Sequence, residues 1–339
     1  MKHFSLFYIC MLMLLTSCIK AEIYWDNPQG NFEALWKIID EQYCFLDYKA
    51  QEYGLDWDRI HQEYSLDITD NMTDKDLFNV LERMLAELRD GHVNLYTGFD
   101  IARYWSWNED YPQNFSDSIQ RVYLGTDYRI ASGMKYKILD DNIGYIYYGS
   151  FADGIGEGNL SDMLQELAMC DGLILDVRNN SGGQLTNANK IAARFTNEKV
   201  LTGYIQHKTG PGHQDFSAPY PIYLEPSKSV RWQKKVVVLT NRSAYSATND
   251  FVNTMKQLPN VTIIGDRTGG GSGLPFSSEL PNGWSIRFSA SPMFDPQMNQ
   301  LEFGIDPDIK VDMTQADMQR NRDTMIETAR NFLKENTWQ

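Results

Sequence analysis

Ser246 lies in the stretch Asn241-Arg-Ser-Ala-Tyr-Ser-Ala-Thr-Asn-Asp-Phe251, where two local patterns meet. Before it, Lys235-Val-Val-Val-Leu-Thr240 is a short apolar, β-branched run, the pattern of a strand buried on both faces. After it, Phe251, Met255 and Leu258 fall at helical spacing and Pro259 closes the segment. A serine at such a junction meets free backbone N–H groups and the positive end of a helix, which can receive a developing oxyanion. Ser246 is therefore a candidate nucleophile. Taken alone, helix capping explains it better, because serine is a preferred N-cap residue.

A serine hydroxyl becomes a nucleophile at neutral pH only with a base in reach, an orienting group and oxyanion donors. The histidines are His3, His61, His92, His207 and His213. His3 lies in an N-terminal leader, and His61 in a polar helical stretch that reads as exposed. His92 follows Leu88-Arg-Asp-Gly91 at an apparent helix end, with Val93-Asn-Leu-Tyr96 alternating like a strand beyond it. There Gly91 fits a helix C-cap and His92 could serve as a cation at the negative helix end. His207 and His213 bracket His207-Lys-Thr-Gly-Pro-Gly-His213, whose composition suits a flap or substrate rim.

The elements that must position these groups alternate. Residues 26–90 read as mostly helical, with apolar stripes at Phe32, Leu35, Trp36 and Ile39 and at Leu77, Val80, Leu81, Met84, Leu85 and Leu88. Thr73-Asp-Lys-Asp76 resembles a capping box with aspartate in place of glutamate. From residue 143 the order is strand 143–148, helix 159–168, strand 172–177, helix 184–194, strand 236–239, the helix after Ser246 and strand 261–265. That repetition predicts an α/β core with parallel strands and crossover helices. The segment 276–311 reads as strands and turns, and 313–335 as a closing helix. Ligands in such sheets collect at the carboxyl ends of strands, which selects the turns 176–183, 240–246 and 265–273.

Composition bounds the function. A formal net charge of −14 argues against nucleic acid as a partner, since phosphates require basic patches. Lys2, the apolar run Phe4–Leu15 and Leu15-Thr-Ser-Cys18 read as a secretory leader over 1–17, too short to span a bilayer comfortably. The last four of these residues resemble a bacterial lipoprotein signal with Cys18 as the acylated N-terminus. The expectation is a domain tethered by lipid to the bacterial cell envelope. Of the remaining cysteines, Cys44 and Cys170 could form a disulfide or remain buried thiols. No cysteine–histidine spacing resembles a zinc site, and no cofactor is expected.

Five ordered segments carry a family resemblance: Asp90-Gly-His92, Gly144-Tyr-Ile-Tyr147, Asp176-Val-Arg-Asn-Asn-Ser-Gly-Gly183, Asn241–Phe251 and Glu302-Phe-Gly-Ile-Asp-Pro-Asp308. Over roughly residues 75–312 the chain resembles the C-terminal-processing (tail-specific) serine peptidases. The resemblance implies an α/β, crotonase-like peptidase core over 96–339 with a small helical N-terminal subdomain over 18–95. In that family Ser246 aligns with the nucleophile. Where many members place a lysine base, this chain has Gly269-Gly-Gly271, so it resembles the tricorn-core-like branch whose base is a histidine. The mapping makes His92 the base and Glu302 the orienting carboxylate. Gly182 or Gly183 and Ala247 become the oxyanion donors, with His213, Gly270 and Gly271 as a candidate substrate rim. Only about fifty residues separate His92 from Gly144, whereas the PDZ domain of many members takes on the order of 80–100; no PDZ domain is expected. The implied activity is hydrolysis of peptides or unfolded protein tails. The alternatives are an inactive peptide- or ligand-binding lipoprotein on the same fold and, disfavoured by the leader, an acyl-CoA enzyme.

Overall fold

The computed structural model describes residues 24–335. The leader and Cys18 lie outside the described residues. Helices Pro28–Gln42, Leu46–Tyr53, Trp57–Ser65 and Asp74–Ala86 come first. Asn27 caps the first by accepting the Gly30 N–H at 2.7 Å. Thr73 and Asp76 close a reciprocal capping box on the fourth, satisfying donors that the helix start leaves orphaned.

The strands are β1 (Asn94–Tyr96), β2 (Ile101–Ala102), β3 (Arg129–Ala131), β4 (Met134–Ile138), β5 (Ile143–Tyr147), β6 (Gly172–Asp176) and β7 (Val200–Ile205). They continue as β8 (Tyr220–Leu224), β9 (Val236–Thr240), β10 (Val261–Gly265), β11 (Leu274–Glu279), β12 (Ser285–Ser291), β13 (Met293–Phe294) and β14 (Ile309–Lys310). The central sheet has the order β14-β10-β9-β6-β5-β4-β3. From β14 to β5 its strands are parallel, and β4 and β3 add an antiparallel edge.

Both faces of that sheet are covered, which is why β6 and β9 are apolar without alternation. Leu173, Leu175, Val236 and Val238 pack with Leu160, Ile191, Phe251 and Met255 from helices Glu157–Glu166, Leu185–Ala192 and Ala247–Lys256. Ile174, Val237 and Leu239 face Met325, Ile326 and Leu333 of helix Thr324–Glu335. Each side chain so buried contributes about 1.5–3 kcal/mol.

A second core joins Phe32, Leu35, Ile39, Leu81 and Met84 of the N-terminal helices to Leu95, Ile286 and Phe288. The last three belong to the antiparallel sheet β11-β12-β1-β2. Strand β1 therefore runs across the division expected at residue 95: Asn94 pairs with Arg287 and Tyr96 with Ser285. This pairing carries the residues just before it, Asp90 to His92, onto the edge of the core.

Two expectations are corrected. The closing helix divides into Gln315–Met318 and Thr324–Glu335. At the break, Asp323 accepts the Met325 and Ile326 N–H groups and pairs with the buried Arg178 guanidinium at 2.9 Å, so an internal cap and ion pair override helical periodicity. Gly91 is not a helix cap, because the helix before it ends at Ala86. A Cβ there would lie 2.8 Å from Trp107 Nε1 and 2.9 Å from Tyr245 Oη; the glycine admits two aromatic rings. Cys44 and Cys170 are buried free thiols.

Candidate active site

The turn leaving β9 is held from several sides. Asn241 donates to Gln113 O at 2.8 Å and accepts the Asn179 N–H at 3.1 Å. Tyr245 N donates to Asn180 O, and Ser246 N to Gly270 O at 2.9 Å. These bonds force Ser246 to φ 58°, ψ −122°, a backbone region that costs a non-glycine residue about 1–3 kcal/mol. Ser246 stands at the N-cap position of helix Ala247–Lys256, yet its side chain makes no capping bond. Its Oγ instead lies 2.9 Å from His92 Nε2. Capping, the better explanation from local sequence, is thereby displaced.

His92 arrives from 154 positions upstream and is buried. The imidazole packs tilted against Tyr245 at 5.1 Å between ring centres, and Tyr245 stacks on Trp107 at 4.1 Å. Burial pushes the His92 pKa down to about 4, with Arg287 and Lys49 adding to the effect and Asp90 opposing it. The imidazole is therefore neutral at physiological pH, as a general base must be. Its Nδ1 is buried and has no hydrogen-bond partner among the described residues.

Glu302 departs from its expected place in this arrangement. It is buried, but its carboxylate accepts the Ser272 N–H at 3.1 Å and pairs with Lys49 Nζ at 3.2 Å, and makes no hydrogen bond to His92. The reason is a buried cation that local sequence does not announce: Lys49 Nζ also donates to Leu88 O at 2.6 Å and stands 3.9 Å from Asp90 Oδ2. Burial, then the like charge of Asp90, raises the Glu302 pKa against the pull of Lys49. Asp90 is the carboxylate next to His92. It accepts the His92 backbone N–H at 2.7 Å, the Tyr43 hydroxyl at 2.8 Å and the Ser289 hydroxyl at 3.0 Å. Although burial favours its protonated form, Lys49, His92 and these bonds hold its pKa below the usual carboxylate value. Tyr43, Lys49 and Asp90 carried no assignment from sequence; the lysine sits within the second N-terminal helix and the tyrosine just past the first, at positions that look like ordinary surface and core.

The expected oxyanion donors separate. The Gly182 N–H is taken by Asn180 Oδ1 at 2.9 Å, so it is not free for substrate. Gly183 and Ala247 line a narrow cleft beside Ser246 and His92. The Ala247 N–H belongs to the first helical residue and, like that of Gly183, donates to no protein acceptor among the described residues. Gly183 has φ 140°, and a Cβ there would lie 2.3 Å from Phe151 C; close strand approach requires the glycine.

Of the expected rim, Gly271 lines this cleft. Gly270 supports the nucleophile through its carbonyl, and a Cβ on it would meet Glu302 O. His213 is not part of either cleft at Ser246; it is held by Asp40 at 2.8 Å and Asp47 at 3.2 Å, carboxylates of the N-terminal helices. Nor is His61 a solvated helix residue: it bonds Glu33 at 2.8 Å and packs on Trp36. A second, more open cleft shares His92 and Ser246 and is lined by Arg103, Trp105, Trp107, Ser181 and Arg287. Among the described residues no cluster of His, Cys, Asp and Glu could hold a metal ion.

Residues 142–311 match the model of peptidase family S41, and residues 26–86 match the tricorn protease C1 domain. The first match covers half of the chain, which belongs to peptidase family S41. A solved structure from Parabacteroides merdae ATCC 43184 is 57% identical and superposes with a TM-score of 0.87, covering 91% of this chain and 97% of that one. The carboxy-terminal processing protease CtpB of Bacillus subtilis (strain 168) is 24% identical over 202 residues, 59% of this chain and 40% of that protein. Tricorn protease of Thermoplasma acidophilum is 29% identical over 164 residues, 47% of this chain and 14% of that protein. The curated relatives it matches are thus aligned over less than two thirds of their own length. The α/β crotonase-like core with a helical N-terminal part is the architecture expected for this family.

Proposed function

We propose that this S41 family member is an exported serine endopeptidase that cuts peptides or unfolded protein tails, with Ser246 as nucleophile and His92 as base. The observation that carries this reading is the 2.9 Å contact between His92 Nε2 and Ser246 Oγ, made by a serine held at positive φ. In the reaction Ser246 Oγ attacks the scissile carbonyl while His92 Nε2 takes its proton. The oxyanion forms at the N-terminus of helix Ala247–Lys256, between the Ala247 and Gly183 N–H groups. His92 then returns the proton to the leaving amine, and water, deprotonated by the same imidazole, releases the acyl group. Asp90 acts on the backbone of His92 and not on its ring, and Glu302 acts through Lys49 and the Ser272 turn.

The reading is tested by incubating a chain beginning after residue 20 with unfolded casein, alongside Ser246→Ala and His92→Ala. Cleavage by the unaltered chain that is lost in both variants supports it, and equal activity in all three refutes it. One observation favours the rival reading, a binding protein on the same fold: His92 Nδ1 has no orienting partner among the described residues. A serine unreactive toward fluorophosphonates would decide for that rival.

Attachment to the bacterial cell envelope through acylated Cys18 is proposed on the pattern Leu15-Thr-Ser-Cys18. Cys18→Ser should abolish incorporation of labelled palmitate in a bacterial host. Among the described residues no helix is long and apolar enough to cross a membrane.

A further inference from the structure

The cleft that holds the free Gly183 and Ala247 N–H groups is walled by Leu185, Leu274, Met293 and Leu301, with Asp250 among them. Asp250 lies four positions after Ser246, in the first turn of helix Ala247–Lys256, and both residues line this cleft. The carboxylate of Asp250 has neither an ion-pair nor a hydrogen-bond partner among the described residues. Its neighbour Asn249 cannot serve, since it is committed to Leu301 O at 3.1 Å and Thr268 Oγ1 at 2.6 Å. Asp250 is partly open to the cleft, while its apolar surroundings push its pKa up to about 6. A desolvated carboxylate left without a cation is costly unless a ligand supplies one.

Charge also differs across the nucleophile. The second cleft shares His92 and Ser246 but carries Arg103 and Arg287, so it repels a basic side chain. Of the two clefts at Ser246, it is the Asp250 cleft that the oxyanion donors line, which places the acyl half of a substrate there. One turn of helix rises about 5.4 Å, a span commensurate with the four-carbon stem of lysine.

Resting on the hydrolytic reading above, we propose that Asp250 receives the side chain of a lysine or arginine immediately preceding the scissile bond. Asp250 is then a specificity residue that touches substrate but not the reacting atoms, and the bond cut is the one following a basic residue.

The test separates binding from cleavage. Two fluorescent peptides, identical except for lysine or norleucine at the position before the target bond, are titrated against Ser246→Ala and Ser246→Ala/Asp250→Asn. The lysine peptide is expected to bind the first at least tenfold more tightly than the norleucine peptide, and the ratio to fall to near one in the second. Equal affinities in Ser246→Ala, no saturable binding of the lysine peptide up to millimolar concentration, or a ratio unchanged by Asp250→Asn overturns the proposal. Asp250→Ser repeats the comparison if the amide variant does not fold. Wild-type chain is assayed for cleavage of the same peptides. Lysine-selective binding without cleavage refutes the peptidase reading while supporting the cation site, whereas cleavage without lysine selectivity does the reverse.

Discussion

Lys49 Nζ lies 3.2 Å from Glu302 Oε1, and neither side chain reaches solvent beyond 3%. This contact ties the second N-terminal helix to the segment that follows β13, directly behind the turn that carries Gly270 and Gly271. A buried cation between two buried carboxylates, Glu302 and Asp90, is stable as a set and fragile when one member is removed. Lys49→Met should cost about 3–5 kcal/mol, read as a lowered midpoint in urea. The exposed pair Arg59–Glu63 provides the contrast: Arg59→Ala should cost at most about 0.5 kcal/mol. Comparable losses in the two variants would show that the buried set is not organised as described.

The acid limb of kcat/KM should fall far below the ordinary imidazole value. Burial, seconded by Arg287 and Lys49, sets His92 at about 4 against the opposing charge of Asp90, so its neutral, active form persists as pH drops through 6.5. Activity on a norleucine peptide, which keeps Asp250 out of the comparison, should reach half its plateau near pH 4. For stability the sign is fixed by the same shift. The unfolded chain binds this proton near 6.5 and the folded chain only near 4, so His92 costs stability progressively as pH falls through that window and nothing above it. A half-plateau near 6.5 would contradict this assignment.

Ser246 at φ 58° is strained, and strain of this kind is relieved by glycine and not by alanine. Both Ser246→Gly and Ser246→Ala should be inactive. The glycine variant should nevertheless be more stable than the alanine variant by about 1 kcal/mol, seen as a higher thermal midpoint. An alanine variant of equal or greater stability would remove the strain argument.

Adding a methyl at Gly183 brings it within 2.4 Å of Ala152 N, so the turn must move and take one oxyanion donor with it. Gly183→Ala should lower kcat by about 10²–10³. Gly154→Ala, in the loop that β5 leads into, has open space for its methyl and should leave kcat unchanged. If Gly183→Ala retains full kcat, the oxyanion lies elsewhere.

Where chemistry depends on neighbours in the chain, it was legible in the sequence. The run 235–240 and the periodicity after Ser246 specify β9 and its helix, because continuous burial and helical spacing both write themselves into residue order. The strained serine, its histidine and the glycine turn were likewise reached through ordered motifs. What the sequence did not show depends on long-range electrostatics. Lys49 reads as an ordinary helix lysine, and only folding places it against Leu88 O, Asp90 and Glu302; the resemblance that makes Glu302 the orienting carboxylate gives no sign of this cation. Gly182 and Gly183 could not be told apart until Asn180 Oδ1 was seen to occupy one N–H. Asp250 had a faint signal, an acidic residue four positions after the nucleophile. His213 lacked one, since Asp40 and Asp47 hold it from helices far upstream.

The central claim is that His92 activates Ser246, and the rate of covalent labelling by a fluorophosphonate measures it most directly. Intact-mass analysis should show one adduct per chain, mapped to Ser246 and absent from Ser246→Ala. His92→Ala should label at least about 10²-fold more slowly while keeping the thermal midpoint of a folded chain. Labelling of His92→Ala at the unaltered rate, or no labelling of Ser246 at all, would contradict the account.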